Sequence, residues 1–108
     1  MYLGRVVGTL VATRKDASLV GAKLLVTQPL SLDLKPIGEA KVMVDTVGAG
    51  VGEMVIYTMG TASLNAAGKP EAAIDAAVVG IVDQMDIDRR WVEELPDTAG
   101  KGEQTFAE

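Results

Sequence analysis

The segment of this sequence that most resembles a ligand-binding motif is glycine-rich. Three glycines alternate with small residues over the range 48–52. Such a loop binds a dinucleotide pyrophosphate when it joins a strand to a helix whose N-terminus meets the phosphates. Here Glu53 follows, and then the segment 54–59, whose β-branched residues predict a strand. We therefore expect no nucleotide here, and glycines that let another backbone approach closely, such as that of another copy of this chain.

Aspartates are the second group of residues that could do chemistry. Paired carboxylates act as acid and base or bind Mg²⁺, and the candidates are Asp45, Asp75, Asp83, Asp86 and Asp88. No spacing among them requires a shared site, and aspartates at strand ends and in turns are commonly solvated or capping groups. Asp75 precedes an apolar run, and we expect it to bond to nearby backbone. Acid–base work or a metal site is the minor alternative.

Two further short motifs have both a functional and a structural interpretation. Arg14 and Lys15 could bind an anion, but an isolated basic pair on a loop is more often solvated. The segment from Gly60 to Ser63 offers hydroxyl groups but no histidine to activate them, so we expect a helix or turn cap.

Composition excludes several classes of function. The chain of 108 residues has no histidine and no cysteine, which excludes disulfides, Cys or His nucleophiles, His general bases and Cys/His zinc sites. A net charge of −5 and 4% aromatic residues argue against a nucleic-acid surface. Apolar runs are too short for a membrane span, and the N-terminus lacks the pattern of a signal peptide. We expect a cytoplasmic protein that needs no cofactor.

Five segments rich in β-branched residues predict strands. They are residues 2–13, 23–30, 40–46, 54–59 and 74–83, with loops at 14–22 and 31–39 and a short helical turn at 61–66. Gly4, Gly8 and Gly80 lie inside these strands and indicate bends or bulges. Pro29 cannot donate to a ladder and marks an edge or an end. Short turns and a single late helix favour an all-β fold, a small five-stranded OB-like antiparallel barrel.

The C-terminal part of the sequence has a different character. Ile87, Trp91 and Leu95 have helical spacing, and Pro96 ends the pattern. Residues 97–108 have little apolar content, which is typical of a mobile tail. We expect a barrel domain over 1–85, a helix over 86–96 and a tail over 97–108.

The order of motifs along the chain resembles a known family. The matching segments are Gly4-Arg-Val-Val-Gly-Thr, Ser18-Leu-Val-Gly, Lys23-Leu-Leu-Val, Val44-Asp-Thr-Val-Gly-Ala-Gly-Val-Gly-Glu53, Gly60-Thr-Ala-Ser and Ile74-Asp-Ala-Ala-Val-Val-Gly-Ile-Val-Asp83. They resemble the pentameric vertex proteins of bacterial microcompartment shells, the family of the carboxysome and ethanolamine-utilisation vertex proteins. The resemblance covers residues 1 to about 85. Two departures are Thr61-Ala-Ser-Leu64, where the family often has Ser-Ser-Ala-Arg, and the extension beyond Asp83.

The resemblance implies a structural protein and not an enzyme. It implies a five-stranded OB-like barrel that assembles as a homopentamer and closes the vertices of a polyhedral shell whose facets are hexameric shell proteins. It also implies no catalytic activity and no required cofactor. Five identical loops would converge on the ring axis, where side chains would clash. The resemblance and this steric argument together place Thr46, Val47, Gly48, Ala49 and Gly50 near the central opening.

Two other classes of function stay open at this point. The first is an OB-type binding module for single-stranded nucleic acid or oligosaccharide, although such modules use stacked aromatic residues and a basic groove. The second is a small acid–base enzyme, which the absence of histidine and cysteine disfavours. The mass in solution discriminates them, because the shell hypothesis requires a five-fold oligomer while a binding module would commonly be a monomer.

Overall fold

The computed structural model describes residues 1–13, 16–68, 74–88 and 90. The predicted tail and most of the predicted helix over 86–96 lie outside the described residues, as do Arg14 and Lys15. Residues 86–88 are not helical. There the Asp88 carboxylate accepts the backbone N–H of Arg90 over 3.1 Å. No helix in the described part of the chain is long and apolar enough to cross a membrane.

The structure contains all five predicted strands. They are β1 (Tyr2–Leu10), β2 (Leu24–Leu30), β3 (Lys41–Asp45), β4 (Met54–Met59) and β5 (Ala76–Ile81), and the described residues also contain the short helix α1 (Thr61–Ala66). The bounds of β4 and α1 coincide with the predicted ones, and the other strands are shorter at their ends. The predicted loop over 14–22 contains a 3-10 turn, Ala17–Leu19, whose start is capped by the Asp16 carboxylate accepting the Ser18 N–H.

The five strands form a closed barrel, which confirms the predicted OB-like fold. Its strand order is β1-β2-β3-β5-β4. Four of the pairings are antiparallel, but β3 and β5 run parallel, with Val44 opposite Ala77 and Asp45 opposite Val78. The parallel pair arises because β4 and α1 lie between these two strands in the sequence, so β5 re-enters beside β3 from the same end. The residues that follow β3 are thereby brought next to the middle of β5.

Two irregularities in the strand register allow the small sheet to close. Between β1 and β2 the register shifts from Val6 to Gly8, and between β4 and β5 it shifts beside Gly80. Each shift places one extra residue on one strand, as in a β-bulge, which increases local twist and bends the strand. The predicted bends at the interior glycines of β1 and β5 are therefore confirmed beside Gly8 and Gly80, whereas Gly4 pairs in regular register with Pro29 and Val55.

The barrel core is aliphatic and contains one aromatic ring. Its buried members are Val6, Leu25, Met43, Ala49, Val55, Tyr57, Ala76 and Val78. Ala49 is the one member of this cluster that comes from a loop without regular secondary structure, the loop that follows β3. The glycine-rich segment is therefore anchored in the core by its own side chain.

Candidate functional site

The glycine-rich segment forms a loop that is attached to the barrel on two sides. Ala49 is 0% exposed and packs in the core. At the end of the loop, the Gly52 N–H donates to the Val6 carbonyl over 2.8 Å, and the Val6 N–H donates to the Glu53 carbonyl over 3.0 Å. The loop thus continues the barrel wall rather than projecting freely from it.

The start of the loop is organised by the carboxylate of Asp45, the last residue of β3. A single oxygen, Oδ1, accepts the backbone N–H groups of Val47, Gly48 and Ala49 over 3.0, 3.1 and 3.3 Å. Three consecutive amides converging on one carboxylate form a concave backbone turn that suits an anion. The anion in this turn is the protein's own side chain.

Lys23 completes this arrangement from the residue before β2. Its Nζ lies 3.4 Å from Oδ2 of Asp45 and donates to the carbonyl of Ala49 over 3.0 Å. The two residues are also joined through the backbone, because the Asp45 N–H donates to the Lys23 carbonyl over 2.9 Å. The Asp45 side chain is 2% exposed and that of Lys23 is 52% exposed. The charge pair is therefore shielded on one side and open to solvent on the other.

The electrostatic surroundings keep Asp45 ionised. Burial alone would raise the pKa of this carboxyl group, but the N–H groups of Val47, Ala49 and Gly48 and the ammonium of Lys23 act in the opposite direction. Together they hold the pKa of Asp45 below its ordinary value. At neutral pH the loop is consequently organised by a fully charged carboxylate.

A second carboxylate, that of Glu53, accepts a hydrogen bond from the next amide of the loop, that of Gly50. Oε1 of Glu53 accepts the Gly50 N–H over 2.6 Å, and the Arg5 guanidinium donates to the Gly52 carbonyl over 2.9 Å. The amides that a phosphate group would need are thus bonded to Asp45 and Glu53. This arrangement favours the prediction that the loop binds no nucleotide, which stays a prediction.

The five residues predicted to lie near a central opening share this loop but point in different directions. The Thr46 hydroxyl donates to the Val78 carbonyl over 2.7 Å, which ties it to β5. Ala49 faces the core, whereas Thr46, Val47 and Gly48 are exposed. Gly48 has a φ of 81°, a left-handed conformation that favours glycine. The face that the loop presents to solvent therefore consists of Thr46, Val47, Gly48 and the backbone near Gly50.

An open cavity of about 570 Å³ lies beside this loop. It is lined by the Lys23–Asp45 pair, by Thr46 and Gly48, and by Ala66 and Ala67 at the C-terminal end of α1. Most of these walls are small side chains or backbone. The cavity places the solvent-exposed side of the charge pair between the loop and the end of α1.

The other carboxylates and hydroxyls singled out in the sequence lie outside this loop, in the rest of the described part of the chain. There, no cluster of three or more acidic residues could hold a metal ion. The expected cap between Gly60 and Ser63 takes a different form. Gly60 is the N-cap residue of α1, and no side chain caps the helix start. The buried Ser63 hydroxyl donates to the Gly60 carbonyl over 2.5 Å. The Asp75 carbonyl, in turn, accepts the Gly60 N–H over 3.0 Å.

The aromatic residues of the barrel pack against each other. The rings of Tyr2 and Tyr57 are stacked with centroids 5.4 Å apart, and Tyr57 is 4% exposed. Burial raises the pKa of the Tyr57 hydroxyl. Of the aromatic side chains in the described residues, only Tyr2 is thus exposed enough for a base or a sugar ring to stack on it.

Sequence reasoning did not identify Lys23 or Glu53 as partners of the loop. An aspartate before a turn commonly accepts hydrogen bonds from the backbone amides that follow it. The position of Asp45 at the end of a predicted strand is of this kind. Lys23 gives no such signal, because it is 22 positions away in sequence and meets the loop only through the β2–β3 pairing.

The closed five-stranded barrel with its parallel β3–β5 pair places this protein among the OB-like barrels. Its membership is more specific. The chain belongs to the family described as ethanolamine utilisation protein EutN/carboxysome, which matches residues 1–83. The resemblance noted in the sequence is confirmed.

Two relatives are similar in sequence to this chain over nearly their whole length. The chain is 54% identical over 86 residues to the microcompartment shell vertex protein GrpN of Rhodospirillum rubrum, covering 80% of this chain and 97% of that protein. It is 45% identical over 89 residues to the vertex protein PduN of Salmonella typhimurium, covering 79% and 98%.

Solved structures agree with these sequence matches. The pentameric microcompartment shell protein GrpN of R. rubrum matches with a TM-score of 0.72 and 50% identity, over 82% of this chain and 99% of that one. CcmL of Gloeobacter violaceus matches with a TM-score of 0.77 and 39% identity, over 82% and 91%.

Proposed function

We propose that this protein is a structural, non-catalytic component of a bacterial microcompartment, a homopentamer that caps the vertices of the polyhedral shell. The observation that carries the proposal is the 50% identity to the pentameric shell protein GrpN over 82% of this chain. The protein would act in the cytoplasm as part of the shell, without a cofactor. Its partners would be four further copies of itself and the hexameric shell proteins of the facets.

The surface of the isolated barrel supports assembly. Several large apolar side chains are half exposed or more, among them Val7, Val11, Val20, Leu32 and Val51 at 50%, 91%, 66%, 53% and 63%. A ring is built from a heterologous contact, so each subunit must present two different faces to its neighbours. A domain of this size also has a small core and gains from additional burial.

The loop from Thr46 to Gly50 is proposed to line the central opening of the ring. Five copies of any loop near a five-fold axis must approach closely, and Gly48 and Gly50 have no side chain to obstruct that approach. Ala49 would contribute only its backbone, because its side chain is in the core. The groups available to the opening are therefore Thr46, Val47 and the glycine backbone.

Binding of nucleic acid is a weaker explanation of the same fold. A nucleic-acid groove needs basic residues and exposed aromatic rings. The chain carries a net charge of −5, and Tyr57, half of its stacked tyrosine pair, is buried. The proposal therefore includes the absence of a nucleic-acid partner.

Two measurements test the proposal. Native mass spectrometry of the full chain should give a species of five times 11.3 kDa. Co-expression with hexameric microcompartment shell proteins should give closed polyhedral shells, whereas the hexamers alone should leave open vertices. A monomer, dimer or hexamer would overturn the vertex assignment, and salt-dependent binding of single-stranded nucleic acid would favour the binding module instead.

A further inference from the structure

We infer that Lys23 and Asp45 are positioning residues for ring assembly: they fix the loop from Thr46 to Gly50 in its ring-forming conformation before two subunits meet. This inference rests on the proposed pentamer and on the proposed position of the loop at its central opening. It concerns how each subunit is prepared for association and not which surfaces touch.

The loop needs such a restraint because its sequence does not impose one conformation. It has no regular secondary structure and contains Gly48 and Gly50. Glycine has more conformational freedom to lose than any other residue, so an unrestrained loop of this kind would sample many conformations. If neighbouring subunits had to select one of them, association would include the entropic cost of ordering five loops.

The bonds around Asp45 supply the restraint within a single subunit. One carboxylate oxygen holds the amides of Val47, Gly48 and Ala49, while the other faces Lys23. Lys23 then returns to the loop through the Ala49 carbonyl. Both charged residues are fixed to the barrel, since Asp45 ends β3 and its N–H is bonded to the Lys23 carbonyl. The contacts form a closed circuit that needs no second subunit.

The burial of the carboxylate makes this restraint effective. The Asp45 side chain is 2% exposed, so water competes little for its hydrogen bonds. Hydrogen bonds to a charged acceptor are also stronger than neutral ones. Lys23 is half exposed at the cavity beside α1, so a substitution that removes its ammonium group leaves no void in the core.

Removal of the circuit should weaken association more than folding. The N–H groups of Val47, Gly48 and Ala49 bond to Asp45 and take no part in strand pairing, whereas every subunit in a ring contributes one loop. We expect the protomer concentration at half-assembly to rise by roughly tenfold or more, because each association step then includes the ordering of a loop.

The experiment compares three full-length variants with the wild type. Asp45→Asn keeps the side-chain shape but removes the charge, and Lys23→Met removes the ammonium but keeps an apolar stem. Asp33→Asn is the matched control, because Asp33 is 10% exposed and pairs with Lys35 over 3.8 Å in a turn that does not contain the loop. Each variant is diluted stepwise, and native mass spectrometry measures the fraction that remains pentameric at each protomer concentration. The thermal midpoint of each variant is also measured. Amide hydrogen exchange of residues 47–49 is followed at the dissociated concentration.

The expected result has two parts. In the dissociated wild type the three amides are protected, and Asp45→Asn and Lys23→Met reduce that protection and raise the half-assembly concentration. Asp33→Asn leaves both unchanged. The inference is overturned if these amides exchange freely in the wild-type protomer, or if both loop variants assemble at the wild-type concentration. A wild type that forms no pentamer at any concentration would instead overturn the proposed function, and protected amides in that protein would show the restraint to be intact but unrelated to a ring.

Discussion

A Cβ atom added to Gly4 would lie 2.7 Å from Cγ2 of Thr27, closer than real Cβ atoms approach their neighbours. It would also lie 3.1 Å from the Gln28 carbonyl and 3.3 Å from the ring of Tyr57. Gly4 is therefore a residue whose missing side chain lets β1 and β2 pack against the buried tyrosine. Thr27 occupies the space that a side chain at Gly4 would need.

We predict that Gly4→Ala destabilises the barrel. The added methyl group meets backbone and a buried side chain, and such overpacking costs about 1–3 kcal/mol. Gly8→Ala in the same strand is the control, because its Cβ would meet Val26 at 3.8 Å, an ordinary contact. Urea denaturation measures both free energies of unfolding. Equal values for the two variants would contradict the steric role of Gly4.

We predict that Thr27→Val stabilises the protein. Thr27 is 0% exposed, and its hydroxyl has no hydrogen-bond partner among the described residues. Replacing an unsatisfied buried hydroxyl with a methyl group of the same shape should raise the free energy of unfolding by about 1 kcal/mol.

Thr46→Val provides the matched comparison for that prediction. The Thr46 hydroxyl does have a partner, the Val78 carbonyl at 2.7 Å, so the same substitution should lower the free energy of unfolding by about 1 kcal/mol. Opposite signs in thermal or urea denaturation would support the assignment of hydrogen bonds. A destabilised Thr27→Val variant would show that its hydroxyl is bonded.

Strand positions were predictable because they depend on local composition. The segment 54–59 is rich in β-branched and aromatic residues, and its bounds agree with β4. The interior glycines of β1 and β5 also signalled irregular pairing, which the shifts beside Gly8 and Gly80 confirm. The steric role of Gly4 was not predictable, because it depends on a neighbouring strand and on Tyr57.

Long-range relationships were the part that the sequence did not reveal. Alternate residues of β3 point to opposite faces of the sheet, but the sequence does not say which face is buried. The structure buries Met43, whereas on the other face Val42 is 45% exposed and Val44 is 8% exposed. The parallel pairing of β3 with β5 depends on the path of the intervening chain. The contact between Lys23 and Asp45 depends on strand register, which no local pattern encodes. The glycine-rich loop was therefore recognisable in the sequence, but the contact of Lys23 with Asp45 that holds it was not.

We predict that the loop binds no nucleotide. Its amides are already bonded to Asp45 and Glu53, so a phosphate would have to displace a carboxylate and approach two negative charges. Calorimetry with NAD, ATP and a flavin should give no binding heat. Glu53→Gln is the informative control, because it removes one charge and should still not bind while the Asp45 bonds remain. Micromolar affinity of the wild type for any of these ligands would contradict the prediction.

We predict that Asp45 contributes to the loss of stability in acid. Its pKa is lowered in the folded protein, so the folded state binds the proton less readily than the unfolded state does. The stabilisation is therefore complete above the ordinary pKa of an aspartate, about 4, and is lost as the pH falls through the lower folded pKa. In urea denaturation the difference between wild type and Asp45→Asn should be largest at neutral pH and should shrink in acid. A constant difference would mean that Asp45 titrates normally.

The final prediction concerns Gly50→Trp and separates the barrel from the ring. Gly50 does not have a positive φ, and a Cβ there would meet only Oε1 of Glu53 at 3.6 Å, so the backbone of the single subunit accepts an L-residue at this position. Gly48 would be a poorer choice, because its φ of 81° strains any L-residue. If five loops surround the axis, Gly50→Trp places five indole rings near one another, and the ring should dissociate or distort while the barrel still folds.

Glu39→Trp is the control, since it adds the same bulk at an exposed position of the β2–β3 connection. We expect both variants to keep the circular dichroism spectrum of the wild type, and only Gly50→Trp to lose the pentamer in native mass spectrometry. An intact Gly50→Trp pentamer would remove the loop from the central opening but leave the vertex assignment standing, because that assignment depends on the ring and not on which loop lines it. Loss of the pentamer in both variants would show that added bulk, and not proximity to the axis, disrupts assembly.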